Sequence, residues 1–154
     1  MAEAPTQKFN HVAMSVPAAM LQPDGCAEIV RFYSDVFGWT EMPGMTKPGE
    51  MLVLRAHSNE QFVFIVASEE PMRCAELDHF GLSVKTPQEL DTILERAERF
   101  RERDERVRIV DRQTEDYRVL KLHNFYVGYL LPLMVEVQCY EWAEGLGPDS
   151  LPAE

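Results

Sequence analysis

An internal repeat constrains this chain more than any other feature. Phe9-Asn-His-Val-Ala-Met-Ser-Val16 aligns without gaps on Leu77-Asp-His-Phe-Gly-Leu-Ser-Val84 at an offset of 68 residues. His11/His79, Ser15/Ser83 and Val16/Val84 are identical, and Phe9/Leu77, Asn10/Asp78, Ala13/Gly81 and Met14/Leu82 are similar in size or chemistry. Both copies then reach a proline, Pro17 or Pro87, and a helix-like stretch. A repeat of half a chain means two copies of one supersecondary unit rather than a solenoid. With 154 residues, 45% of them apolar, the chain can bury a sizeable core.

In the first copy His11–Val16 reads as a strand. Ala27–Phe37 carries Ile29, Phe32, Tyr33, Val36 and Phe37 at helical spacing, and Gly38 supplies the stop. Trp39–Met42 reads as a short strand before the Pro43–Gly49 turn region. Met51–Arg55 and Gln61–Ala67 read as strands flanking a polar loop, His57-Ser-Asn-Glu60, in which His57 serves a turn. The second copy repeats the order. Leu77–Val84 is a strand, and Thr86-Pro-Gln-Glu89 has the shape of a capping box with proline at the first helical position. Leu90, Ile93, Leu94, Ala97 and Phe100 then form one apolar stripe. Val107–Asp111, Tyr117–Val127 and Leu133–Tyr140 read as three strands. The expected fold class is therefore α+β, two βαβββ modules at 8–70 and 76–142 whose curved mixed sheets enclose a cavity. Residues 143–154, rich in Gly, Pro and acids, are expected to form a loose tail.

The formal charge of −11, with 26 acidic against 15 basic residues, argues against nucleic acid and against an anionic membrane surface. The longest apolar runs, Phe62–Ala67 and Tyr129–Val135, are too short to span a bilayer. Met1-Ala-Glu-Ala-Pro-Thr-Gln-Lys8 has no apolar region, so no secretory signal is expected. Cys26, Cys74 and Cys139, an odd and widely spaced set, fit free thiols in a cytoplasmic protein. The charge run Glu95–Arg118 holds eight of the fifteen basic residues. Interleaved acids make a solvated helix face the expected role, with pairs such as Glu95/Arg99 and Glu102/Arg106, rather than an anion-binding patch. No GxGxxG, Walker A, GxSxG or HExxH motif is present.

Paired βαβββ modules, each opened by a histidine, resemble the vicinal oxygen chelate superfamily, which includes glyoxalases, extradiol dioxygenases and bleomycin-binding proteins. The resemblance covers residues 8–142, and Ile29-Val-Arg-Phe-Tyr-Ser-Asp-Val-Phe-Gly-Trp39 is similar to that superfamily's first helix and its exit. It implies metal ligands on the first and last strands of each module. His11, His79 and Glu136 then stand at ligand positions, and Phe64 stands where a fourth ligand would be. Two imidazoles and one carboxylate suit a divalent first-row metal, Fe(II), Mn, Ni, Co or Zn, with positions open for substrate. Glu136 also shares its strand face with Met134 and Gln138, while Val135 and Val137 occupy the other.

His123, Tyr126 and Tyr129 are the candidate catalytic residues, by analogy with the histidine and tyrosine that extradiol enzymes place near the metal. With a turn at Val127–Pro132, paired residue numbers should sum to about 258–260. A sum of 259 sets His123 opposite Glu136, and a shift of one turns it away. A structural histidine on a strand is the equal alternative. The extradiol Tyr-x-x-Asp-Pro-x-Gly turn is absent, because Tyr129-Leu-Leu-Pro132 runs directly into Leu133-Met-Val-Glu136.

The expected function is a glyoxalase- or dioxygenase-like metalloenzyme that chelates vicinal oxygens of a small-molecule substrate; a homodimer is compatible with it. The alternative is a metal-free binding protein of the same fold, gripping a ligand between aromatics drawn from Phe32, Trp39, Phe62, Phe64, Phe125 and Trp142. Core packing is the simpler role for most of these aromatics.

Overall fold

The computed structural model describes residues 7–150. Residues 1–6 of the N-terminal segment and 151–154 of the expected tail lie outside the described residues. The chain divides into two compact units, Met1–Met72 and Arg73–Glu154.

In the first unit, β1 (His11–Val16) leads through a short 3-10 turn, Ala18–Leu21, into α1 (Pro23–Phe37), then β2 (Thr40–Glu41), β3 (Met51–Arg55) and β4 (Phe62–Ala67). The helix begins four residues earlier than its apolar stripe. Pro23 occupies the first helical turn, where a missing N–H is harmless, and Asp24 complements the helix dipole. Gly25 has its own reason: a Cβ there would stand 2.2 Å from the carbonyl oxygen of Met20. Gly38, at φ 72°, ends the helix in a left-handed cap that only glycine adopts without strain. Ile29, Phe32, Tyr33 and Val36 are buried with Met14, Val16, Leu52, Leu54, Val63 and Ile65. Trp39 closes this core by stacking on Tyr33 and Phe37.

The second unit runs β5 (His79–Val84), α2 (Pro87–Arg101), β6 (Arg108–Asp116), β7 (Leu120–Gly128) and β8 (Met134–Trp142). Thr86 caps α2 by accepting a hydrogen bond from the Glu89 amide at 3.1 Å, and Glu89 accepts one from the Lys85 amide at 2.8 Å. Leu90, Ala97 and Phe100 are buried with Phe125, Val127, Val135, Val137 and Cys139. Free thiols are found at all three cysteines. Of the expected tail, Ala143 is tied by its amide to the Val119 carbonyl, and the described remainder consists of turns. Among the described residues no helix is long and apolar enough to cross a membrane.

The fold is α+β, two βαβββ modules with mixed four-stranded sheets of matching order, β1-β4-β3-β2 and β5-β8-β7-β6. The repeat extends to register. The first strand pairs in parallel with the last, His11 with Phe62 and Ala13 with Phe64 in one unit, His79 with Met134 and Gly81 with Glu136 in the other. Phe64 therefore holds in the first sheet the place that Glu136 holds in the second. Paired residues share a face, so each sheet has a helix-covered face and a second face carrying the histidine.

Two sequence expectations change. The β7–β8 numbers sum to 262, because the connection runs Tyr129–Leu133 and is centred on buried Leu131. His123 consequently pairs with Cys139, not Glu136, and lies on the opposite face from Glu136. In the charge run, Arg106 pairs with Asp104, which stands two residues away, rather than with Glu102 on a helix face, and Arg112 pairs with Asp91.

Candidate functional site

The histidine-bearing face of the second sheet gathers four polar side chains. His79 opens β5. Its Nδ1 lies 2.8 Å from the Leu77 carbonyl oxygen. A carbonyl only accepts, so Nδ1 carries a proton, and in the neutral imidazole Nε2 presents a lone pair. Nε2 faces Oε2 of Glu136 at 3.3 Å. Glu136 is buried, 6% exposed. Its Oε1 accepts a hydrogen bond from Asn124 Nδ2 at 2.9 Å. Tyr126 pairs across the ladder with Glu136, and its ring meets the His79 imidazole edge-on at 4.9 Å. Burial, then the neighbouring Glu136 carboxylate, then the charge of Glu115, push the Tyr126 phenol above its ordinary value, so it is a proton donor at neutral pH. The opposed residue on β5 is Gly81, where a Cβ would stand at an ordinary contact distance, 3.9 Å, from Glu136 Oε2.

Two features of this cluster are chemically unfinished. A neutral His79 sets a nitrogen lone pair against a carboxylate oxygen, a contact that needs a shared proton or a cation. The Oδ1 of Asn124 is buried without a hydrogen-bond partner. A nitrogen and a carboxylate oxygen converging with fixed tautomer are donors of the kind that hold a borderline divalent metal, and the Leu77 contact is the outer support such a histidine has.

His11 belongs to the first unit, at the equivalent place. Its Nδ1 lies 2.8 Å from Asn10 Oδ1, and its ring stacks on Phe62 at 5.0 Å. An amide oxygen accepts, so Nδ1 again carries a proton. Phe64 lies on the same strand face and brings no donor atom. Among the described residues no group of three or more His, Cys, Asp or Glu side chains is gathered to hold a metal ion.

The other candidates are placed differently. His123 is buried on the helix-covered face, with Nδ1 2.9 Å from Thr114 Oγ1 and Nε2 3.0 Å from Glu141 Oε2. Tyr129 is fully buried and donates its hydroxyl to Asp104 at 2.8 Å, while its ring packs on Phe100. It anchors the β7–β8 connection. Phe32, Trp39 and Phe125 are core residues, in keeping with the packing role expected for most of these aromatics. Asn124 was missed in the sequence. Its signal is a lone amide inside His123-Asn-Phe-Tyr126, two residues from Tyr126 and hence on its face.

No family model matches the chain. No curated protein matches it in sequence either. Solved structures do match. A lactoylglutathione lyase from Agrobacterium tumefaciens superposes with TM-score 0.60 at 15% identity, over 88% of this chain and 95% of that one. A glyoxalase/bleomycin resistance protein/dioxygenase from Alicyclobacillus acidocaldarius gives TM-score 0.60 at 15% identity, over 90% and 95%. A genomically encoded fosfomycin resistance protein from Listeria monocytogenes gives 0.57 at 12% identity, over 88% and 94%. The chain thus has the vicinal oxygen chelate fold.

Proposed function

We propose that the chain is a metal-dependent enzyme of the glyoxalase or dioxygenase type, acting on vicinal oxygens of a small molecule. The observation that carries this reading is the 3.3 Å contact between His79 Nε2 and Glu136 Oε2, with Nδ1 anchored on a backbone carbonyl. His79 and Glu136 would hold the divalent cation, and His11, the repeat counterpart of His79, is the proposed third ligand. When bound, such a cation supplies Lewis-acid stabilisation of an oxygen-centred anion. The rest of the work falls to the protein. Asn124 holds the Glu136 carboxylate by Oε1, so that Oε2 stays turned toward His79, and Tyr126 stands beside it on the neighbouring strand. Tyr126 keeps its proton at neutral pH and is the proposed proton donor at the site. His123 and Tyr129 are not proposed for that role, since neither stands with Glu136. A homodimer and a cytoplasmic location belong to the same proposal.

One observation favours the second reading, a metal-free small-molecule binder: the described residues gather no three-ligand group. Thermal unfolding separates the two. Wild type and His79→Ala are compared in chelator and in excess Mn(II), Fe(II), Co(II), Ni(II) or Zn(II). At a metal concentration about 100 times Kd, binding stabilises by about 2.7 kcal/mol, which for a chain of this size raises Tm by roughly 5–10 °C. Wild type should show that rise, and His79→Ala and His11→Ala should lose it. No rise in wild type with any of these metals, or equal destabilisation of His79→Ala with and without metal, would leave the binder.

A further inference from the structure

We infer that the substrate of this site is a small anion, a carboxylate or its phosphonate equivalent, and that Arg108 binds it. The inference deepens the reading above and rests on it for the position of the site.

Arg108 opens β6, where it pairs with Gly128, two residues from the Val110–Tyr126 pair. Paired and alternate residues share a face, so Arg108 projects from the face that carries Tyr126 and Glu136. Gly128 lets its side chain lie flat along the sheet. A Cβ on Gly128 would stand 2.8 Å from Arg108 Nη2 and 3.2 Å from Met134 Cγ. The outer end of the guanidinium thus lies over Gly128, beside Met134, the register partner of His79. Gly128 has no positive φ to explain it. The room it leaves is what the arginine uses.

The charge setting sharpens the point. Arg106 and Arg112, which flank this position in the charge run, both hold carboxylates, Asp104 at 2.7 Å and Asp91 at 2.6 Å. Among the described residues no carboxylate forms an ion pair with Arg108; Arg96, Arg99, Arg101 and Arg118 of the same run likewise show none, and its place on the site face is what sets Arg108 apart. A planar fork of donors without a partner, lying along the site face, is matched to a carboxylate or phosphonate. Glu136 and the net charge of −11 would otherwise repel such a substrate.

The test is calorimetric titration of the full chain, with and without Mn(II), using pyruvate as the anionic probe and methyl pyruvate as its uncharged counterpart. Pyruvate should bind at millimolar concentration or below, and the ester at least about tenfold more weakly, the loss expected for one charge-assisted contact. Arg108→Gln should weaken pyruvate by a similar factor, and Arg108→Lys should recover part of it. Gly128→Ala should also weaken pyruvate, although Arg108 is still present, because the methyl group displaces the guanidinium. Equal binding of acid and ester, undiminished pyruvate binding by Arg108→Gln, or no pyruvate binding by wild type would each overturn the inference. The two proposals fail separately. Mn(II) binding that needs His79 while pyruvate ignores Arg108 removes only this one. Pyruvate binding that needs Arg108 in a chain that takes up no metal removes only the metal.

Discussion

Replacing Asn124 by Asp exchanges one amide nitrogen for an oxygen and probes the ionised state of the site. In the wild type Nδ2 donates to Glu136 Oε1 at 2.9 Å, with both side chains buried. In Asn124→Asp two carboxylates would meet at that distance. At an effective dielectric of about 20 their repulsion is about 6 kcal/mol. Protonating one of them at pH 7, against an ordinary carboxyl pKa near 4.3, costs about 4 kcal/mol. The smaller cost wins, so the pair shares one proton and the variant is destabilised by about 4 kcal/mol at neutral pH. The sign follows from linkage. The shared proton raises a folded-state pKa above its unfolded value, so the folded variant is favoured at low pH and loses stability as pH rises. The penalty should therefore fall by about 1.4 kcal/mol for each pH unit below 7, to about 1 kcal/mol near pH 5. Urea unfolding in chelator at several pH values between 5 and 7, variant against wild type, measures it. Asn124→Leu is the control: it leaves Glu136 Oε1 without its donor and should cost about 2 kcal/mol, but it adds no second carboxylate and so should show a much shallower pH dependence than Asn124→Asp. A flat difference for Asn124→Asp across that range would refute the reasoning, because it would mean that position 124 does not face an ionised Glu136.

Two further outcomes follow from named contacts. Thr86→Ala removes the cap of α2 and should cost about 1 kcal/mol, read from urea midpoints, with no effect on metal-induced stabilisation. The raised Tyr126 phenol contributes stability that is present below pH of about 10 and lost as pH rises through the folded-state value; Tyr126→Phe should abolish that part of the alkaline loss in a pH-dependent melting series, and an unchanged alkaline limb would separate Tyr126 from Glu136.

Most of the architecture was legible because the repeat set its period and the apolar patterns were strong. β1 and β3 keep the expected bounds, and α2 starts at the proline that the capping box marks. The polar strand was harder. β6 extends to Asp116 through Arg112-Gln-Thr-Glu-Asp116, a sheet-edge strand with a bulge between Val110 and Gln113 that shows no hydrophobic alternation. Its length depends on pairing with β7, a long-range property. The His79–Glu136 contact follows the strand assignment and its periodicity of two. His123 turned on the register, whose sum is 262 rather than 259, and that register was set by the burial of Tyr129 and Leu131 in the connection, which local turn rules do not encode. Arg108 was hidden for a different reason. Its significance lies in the missing Cβ of Gly128, twenty residues away in sequence and opposite it in the sheet.

The shared register of the two sheets makes each half a control for the other. At the place where the second half sets a buried carboxylate and amide beside a half-buried phenol, the first half has Phe64 and, across its ladder, Val53. Duplication supplied one frame twice, and only one copy bears the burden of ionisable groups away from water. The other was left free to keep an ordinary apolar lining. A chain built this way can change its chemistry by substitutions in one half while its twin preserves the blueprint of the fold.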